Sequence, residues 1–300
     1  MENAMRNKCK TKKLIVYVFL IIFVCSLCLA FCSCFSNTNI PDNEDDNTDD
    51  LKLKGSGSVE DPFQLSNADD LYFFAKTVNE DKITYYNQNV ALMSDIDLNG
   101  NEWTPIGVEK DYWSKDIRPF SGNFNGNGFT ISNFKITKPV RYSGFFGYCE
   151  KNIISNLNLE NVIIEINIKA PTKQIITAGI LVGCANTYSD IINCNVAGQI
   201  VVENYSAAQY LGGLVGYASR VGLMENYSLI KNCSVNIRIK SINCTIPSVG
   251  GIVGWTSCYD IIDCNCKSIL SCTSYPYFGG IIGNGDHYRI ENCTNDEIKE

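Results

Sequence analysis

The sequence predicts an all-β fold: a right-handed parallel β-helix, or solenoid, with a capping helix at its N-terminal end. Three observations predict it. A two-part pattern recurs five times from Gly144 onward. Apolar residues inside each copy alternate with period two, the periodicity of a strand. Ile (35) and Asn (33) together exceed a fifth of the 300 residues. That pairing favours short strands joined by tight corners.

The first 35 residues predict a signal or membrane-anchor segment. Leu14 to Phe35 carries no charge, and five basic residues precede it: Arg6, Lys8, Lys10, Lys12 and Lys13. About 20 apolar residues are enough to span a bilayer as a helix, and the flanking lysines favour keeping that end in the cytoplasm. Two anchors compete. One is a retained transmembrane helix. The other resembles a bacterial lipoprotein signal, in which a cysteine after the apolar stretch is lipidated. Cys34 is the favoured lipidation site, because small Ser33 precedes it, although Phe31 and Cys32 depart from the usual pattern. Cys32 follows bulky Phe31 and fits less well. Either anchor predicts a bacterial cell-surface protein, membrane-anchored on the extracellular face.

Residues 36–54 read as an acidic linker. Pro41 to Asp50 holds six acids in ten residues, which repel one another and bury nothing. Residues 55–140 are expected to form an N-terminal cap and the first coils. Ser66 and Asp69 resemble a capping box, and Leu71, Phe74, Ala75 and Val78 fall on one helical face. Val90, Leu92, Ile96 and Leu98 share one strand parity, with Asn99-Gly100 as a turn. Residues 121–136 alternate Phe and Gly with Asn, then continue as Ile131, Phe134 and Ile136, which predicts short strands around sharp corners.

Residues 141–300 carry the repeats. The glycine-bounded units are GFFG (144–147), GILVG (179–183), GGLVG (212–216), GGIVG (250–254) and GGIIG (279–283). Their last glycines lie 36, 33, 38 and 29 residues apart. Each is followed by a second unit: IISNL, IINC, IKNC, IIDC or IENC. A period of this length means a solenoid, propeller or array. Two obvious strands per copy, with room for a third, suit one coil of a β-helix better than a four-stranded blade. The register predicts an Asn ladder at Asn156, Asn193, Asn232, Asp263 and Asn292. It also predicts an inward stack of Cys194, Cys233, Cys264 and Cys293 in the slot of Leu157. Asp190, Asp260 and Arg289 align as a solvated edge. The regular β-helix is expected from about residue 120 to 295.

The units GGLVG…IKNC, GGIVG…IIDC and GGIIG…IENC resemble the GLUG motif of bacterial surface and secreted proteins. The resemblance covers about 179–295 well and 144–157 more loosely. It implies an extracellular β-helical binding or adhesin-like module.

Candidate chemistry is sparse. The net charge of −7 argues against a nucleic-acid partner. The single histidine, His287, reads as a surface-loop residue. Asp95, Asp97 and Asn99 open like a calcium loop, but Ile106 stands where the closing Glu belongs. No catalytic residue, metal site or cofactor is assigned. Ten cysteines follow the apolar segment and read as core thiols, with disulfides as the open alternative. Trp103, Trp113, Tyr210, Trp255, Tyr275 and Tyr277 offer either a sugar-stacking surface or edge packing. The expected partners are the membrane, through the anchor, and an extracellular glycan or protein ligand of unknown identity. A carbohydrate-active β-helix enzyme is the alternative reading; it would need carboxylates converging on one groove.

Overall fold

From Tyr142 onward each turn of the chain lays one strand on each of three parallel sheets, and successive turns stack in register. The computed structural model describes residues 52–109, 116–167, 174–220, 227–273 and 277–298. The apolar segment, Cys34, the acidic run, Trp113 and Tyr275 lie outside the described residues. Sheet I runs through Phe63–Leu65, Asn89–Leu92, Asn123–Asn125, Phe146–Ser155, Val182–Ile192, Val215–Ser219, Val253–Ser257 and Ile282–Asp286. Ser228–Lys231, Tyr259–Ile262 and Arg289–Glu291 extend its far half. Sheet II contains Ile96–Glu102, Thr130–Ile136, Asn158–Asn167, Asn195–Glu203, Ser234–Ile242, Asn265–Cys272 and Thr294–Ile298. Sheet III is shorter: Tyr142–Ser143, Ile176–Gly179, Ala208–Gly212, Ile246–Gly250 and Tyr277–Gly279. The five sequence copies are the five coils that reach all three sheets.

The solenoid starts earlier than residue 120. Phe63–Leu65 already pairs with Asn89–Leu92, and that strand with Asn123–Asn125. The first coils run on into the repeats, with Thr130–Ile136 paired directly to Asn158–Asn167. Helix α1 (Ala68–Asn79) follows the first sheet I strand, where later coils place a sheet II strand. Its start lies one residue beyond the expected cap. Asn67 Oδ1 accepts from the Asp70 amide at 3.0 Å, and Asp70 Oδ2 accepts from the Ser66 amide at 2.8 Å. Asn accepts through a planar amide oxygen and caps as well as Ser, so neighbouring candidates are hard to rank from sequence. Leu71, Phe74, Ala75 and Val78 are buried as the periodicity requires. Phe74 packs against Tyr85, Phe120 and Phe124, closing this end of the core.

Val90, Leu92, Ile96 and Leu98 are all buried. Asn99-Gly100, expected as a strand-ending turn, is instead a left-handed irregularity inside Ile96–Glu102, with φ of 52° and 72°. The pairing to Thr130–Ile136 shifts across it, as at a bulge.

The Asn ladder forms. Asn156, Asn193, Asn232, Asp263 and Asn292 all have φ between 52° and 56°, the left-handed region that Asn and Asp tolerate best after Gly. Each turns the chain from sheet I to sheet II. Asn156 donates to Asn125, Asn193 to Asn156 and Asn232 to Asn193, at 3.0–3.1 Å. Asp263 has no amide to donate, so its step lacks the amide bond; Asn292 then donates to Asp263 at 3.1 Å. A second ladder, which sequence reading missed, links Asn243 to Asn204 and Asn204 to Asn167 at the far end of sheet II.

The cysteine stack also forms. Cys194, Cys233 and Cys264 are buried, and Cys293 in the last coil is partly covered. The Cys233 amide donates to Cys264 Sγ, and the Cys264 amide to Cys293 Sγ, both at 3.4 Å. Each thiol also reaches the carbonyl two residues before it and one on the preceding coil, as Cys233 does to Lys231 and Ile191. A small polarisable donor therefore suits the slot after a left-handed Asn. All ten described cysteines are free thiols.

Candidate functional site: an aromatic groove

The site arises where sheet III meets sheet I. Within one coil only two residues separate the two strands, for example Ile180 and Leu181, and both are buried in the core. Ile176 and Ala178 face that core, so Thr177 points the other way. It is nonetheless buried, and its Oγ1 donates to the Gly183 carbonyl at 2.7 Å. Ser248 makes the same bond to Gly254. The outward sides of the two strands thus face one another across a groove whose base is backbone.

That approach explains the glycines. A Cβ on Gly183 would lie 2.7 Å from Tyr142 C, one on Gly216 2.5 Å from Ala178 N, and one on Gly254 2.5 Å from Leu211 N. The last glycine of each of the four later units, Gly183, Gly216, Gly254 and Gly283, therefore rests on the sheet III backbone of the preceding coil.

Two columns of side chains line the groove. On sheet I the registered positions are Tyr148, Cys184, Tyr217, Trp255 and Asn284. On sheet III they are Tyr142, Thr177, Tyr210, Ser248 and Tyr277. Aromatic residues pair across it: Tyr142 with Tyr148 at 5.3 Å between ring centroids, and Tyr210 with Tyr217 at 5.4 Å. Trp255 stacks on Tyr217 at 4.8 Å and 8°. The coil between the two tyrosine pairs carries only Cys184 and Thr177, and a cavity of about 330 Å³ opens there.

Polar groups ring the cavity. Asn186 Nδ2 donates to the Tyr148 hydroxyl at 2.7 Å. Arg141 forms an ion pair with Glu109 and lies 4.9 Å from the Tyr142 ring centre. The Tyr142 hydroxyl donates to Glu109 Oε2 at 2.9 Å. Burial pushes the Tyr148 phenol up to about 12, against the opposing bond from Asn186. Burial also raises Tyr142, Tyr210 and Tyr217. All four are neutral phenols near neutral pH.

The candidate aromatics divide. Tyr210, Trp255 and Tyr277 stand on the groove columns. Trp103 does not; it is buried, stacked on Phe145 at 5.2 Å, and donates to the Phe145 carbonyl. Sequence reading missed Tyr142, Tyr148 and Tyr217. Their spacing from the unit glycines, as in Gly147-Tyr148, Gly216-Tyr217 and Gly254-Trp255, was the available signal. The Asp95–Asn99 carboxylates are occupied by protein donors: Asp95 accepts from the Thr130 amide, and Asp97 from the Asn99 amide and Asn133. Among the described residues no group of three or more His, Cys, Asp and Glu side chains could hold a metal ion. His287 sits exposed in a loop, 3.6 Å from Asp286. Arg289 pairs with Asp260 at 2.8 Å. Asp190 departs from the solvated edge expected of it: it is half-buried, desolvation raises its pKa, and it accepts from the Leu229 amide.

Fold and groove together define a parallel β-helix with a ligand-sized cleft along one edge. A crystal structure from Bacteroides ovatus, of a protein provisionally named an immunoglobulin A1 protease, superposes with a TM-score of 0.51. The match covers 82% of this chain and 79% of that one at 18% identity, a likeness of fold. A protein from Evansella cellulosilytica, provisionally named a Gly-rich membrane protein, is 30% identical over 144 residues. That match takes in 47% of this chain and only 15% of the length of its relative. No protein-family model matches the chain. Among the described residues no helix is long and apolar enough to cross a membrane.

Proposed function

We propose that the chain is a cell-surface-anchored, non-enzymatic β-helical binding or adhesion protein that takes its ligand in the aromatic groove. One observation carries this reading: tyrosine pairs and Trp255 aligned along a groove on a rigid scaffold. Aromatic rings with polar tips supply contact area at low entropic cost, which is why they are favoured in recognition surfaces. Of the acids, Glu109 is already held by Arg141 and Tyr142, while Glu150 and Asp286 stand at opposite ends of the sheet I column that runs through Asn186, Ser219 and Ser257. Glycoside hydrolysis ordinarily needs two carboxyl groups flanking one bond.

Attachment to the membrane is part of the same proposal. It is supported by the uncharged segment 14–35 with lysines before it, and by the name of the Evansella relative. Lipidation at Cys34 and kinship with GLUG-motif surface proteins belong to this reading too. An array of glycans and proteins probed with the full chain tests it. Retention of a glycan or protein that is lost with Tyr217→Ala supports the reading; retention unaffected by that change contradicts it.

A further inference from the structure

Building on the binding reading above, we infer that the cavity between the two tyrosine pairs holds a single uncharged pyranose ring of a glycan. The register sets the geometry. Tyr148, Cys184 and Tyr217 lie on three successive strands of sheet I. Adjacent strands are about 4.8 Å apart, so the backbone positions of Tyr148 and Tyr217 stand about 9.6 Å apart along the axis. Tyr217 itself stacks along that axis on Trp255 of the next coil, parallel to within 8°. The small side chains of Cys184 and Thr177, themselves buried, therefore leave a recess between the two tyrosine pairs.

The size and chemistry of the slot select its occupant. A flat aromatic ring between two others needs only about 7 Å, two carbon contacts of roughly 3.5 Å each. The wider slot suits a thicker, saturated ring whose C–H faces meet the phenol faces. The cavity, about 330 Å³, is at the small end of ligand pockets, the scale of one sugar ring with its neighbours outside. Hydroxyl partners are at hand in Asn186, Ser219 and the tyrosine hydroxyls. A quaternary ammonium ion would also favour an aromatic enclosure. Here, however, the residues that line the cavity include Arg141 and no carboxylate, which disfavours a cationic occupant.

The register also supplies a test that separates this inference from the binding reading. Cys184→Tyr fills the slot while completing the aromatic column from Tyr148 to Trp255. Tyr217→Ala instead removes a wall. The full chain, its fold checked by circular dichroism and melting, is titrated by saturation-transfer NMR. The probes are the methyl glycosides of glucose, galactose, mannose and N-acetylglucosamine, with methyl glucuronide and choline alongside. Saturation of a neutral glycoside is expected, with affinity reduced at least tenfold by Cys184→Tyr and by Tyr217→Ala. If Cys184→Tyr does not fold, Cys184→Leu, which fills less of the slot, is expected to weaken the same signal. A signal that survives slot filling but is lost with Tyr217→Ala overturns the slot and leaves the groove reading standing. A signal indifferent to all these variants overturns both. Saturation of choline or the glucuronide alone, or of no probe, overturns the neutral-sugar assignment.

Discussion

Gly216→Ala is expected to destabilise the protein by about 3 kcal/mol through steric overlap alone. The added Cβ would lie 2.5 Å from Ala178 N, 2.8 Å from the Gly183 oxygen and 2.9 Å from Ala178 C. All three atoms are backbone. Carbon contacts favour roughly 3.5–4.0 Å, so relief requires about 1 Å of movement. The strand that must move is Ile176–Gly179, paired on both sides, to Tyr142–Ser143 and to Ala208–Gly212. Overpacking of a rigid site costs about 1–3 kcal/mol, and three simultaneous contacts place this change at the upper end. At about 2–4 °C per kcal/mol for a domain of this size, the melting midpoint falls by about 6–12 °C. Gly100 is the control: its φ is +72° and nothing lies within 4 Å of an added Cβ. There the cost is conformational, about 1–2 kcal/mol for Ala, and Asn recovers much of it. At Gly216, Asn should be worse than Ala. Thermal melts and urea titrations of Gly216→Ala, Gly216→Asn, Gly100→Ala and Gly100→Asn check both rankings. A Gly216→Ala protein within 0.5 kcal/mol of wild type would refute the close approach of sheets I and III, and with it the base of the groove.

Three further outcomes are expected. Asp263→Asn restores an amide that can donate to Asn232 and should stabilise by about 0.5–1.5 kcal/mol, outweighing the lost exposed pair with Lys231; a lower urea midpoint would count against the ladder. Burial lifts the Cys266 thiol from an ordinary 9.0 to about 12. The folded form therefore holds that proton more tightly than the unfolded one. Its contribution is complete below about pH 9 and is lost as pH rises towards 12, at no more than ~1.4 kcal/mol per unit. Urea midpoints from pH 8 to 10.5 should fall less steeply in Cys266→Ala, and an unchanged slope would contradict this. Intact mass of the membrane-extracted chain should show a lipidated form beginning at Cys34; a chain still starting at Met1, with Cys34→Ala equally retained in membranes, would rule that anchor out.

Much of the scaffold was legible because one face of every long strand is buried. Period-two alternation survives in strands such as Ser234–Ile242, where Val235, Ile237 and Ile239 are all core residues. The Asn and Cys columns were legible because stacking in register puts the same demand on the same position of every coil. Sheet III was not legible. Its strands run from two to five residues, too short to display a parity, and Tyr142–Ser143 contains no aliphatic side chain. The groove was hidden for a related reason. Tyr142 and Tyr148 meet only because the intervening turn is tight and Gly144 and Gly147 are packed against backbone. Trp103 shows the converse: its indole N–H is satisfied by the Phe145 carbonyl 42 residues away, a partner no local pattern announces.

The central claim is that recognition occurs in the aromatic groove. Calorimetric titration of the tightest array ligand into four proteins tests it most directly: wild type, Tyr210→Ala, Tyr217→Ala, and an Arg238→Ala/Lys267→Ala control on the outer face of sheet II, where a second concavity of about 300 Å³ lies. The account predicts at least a tenfold loss of affinity in both tyrosine variants and wild-type affinity in the control. Undiminished binding in the tyrosine variants, with loss in the sheet II control, would contradict it.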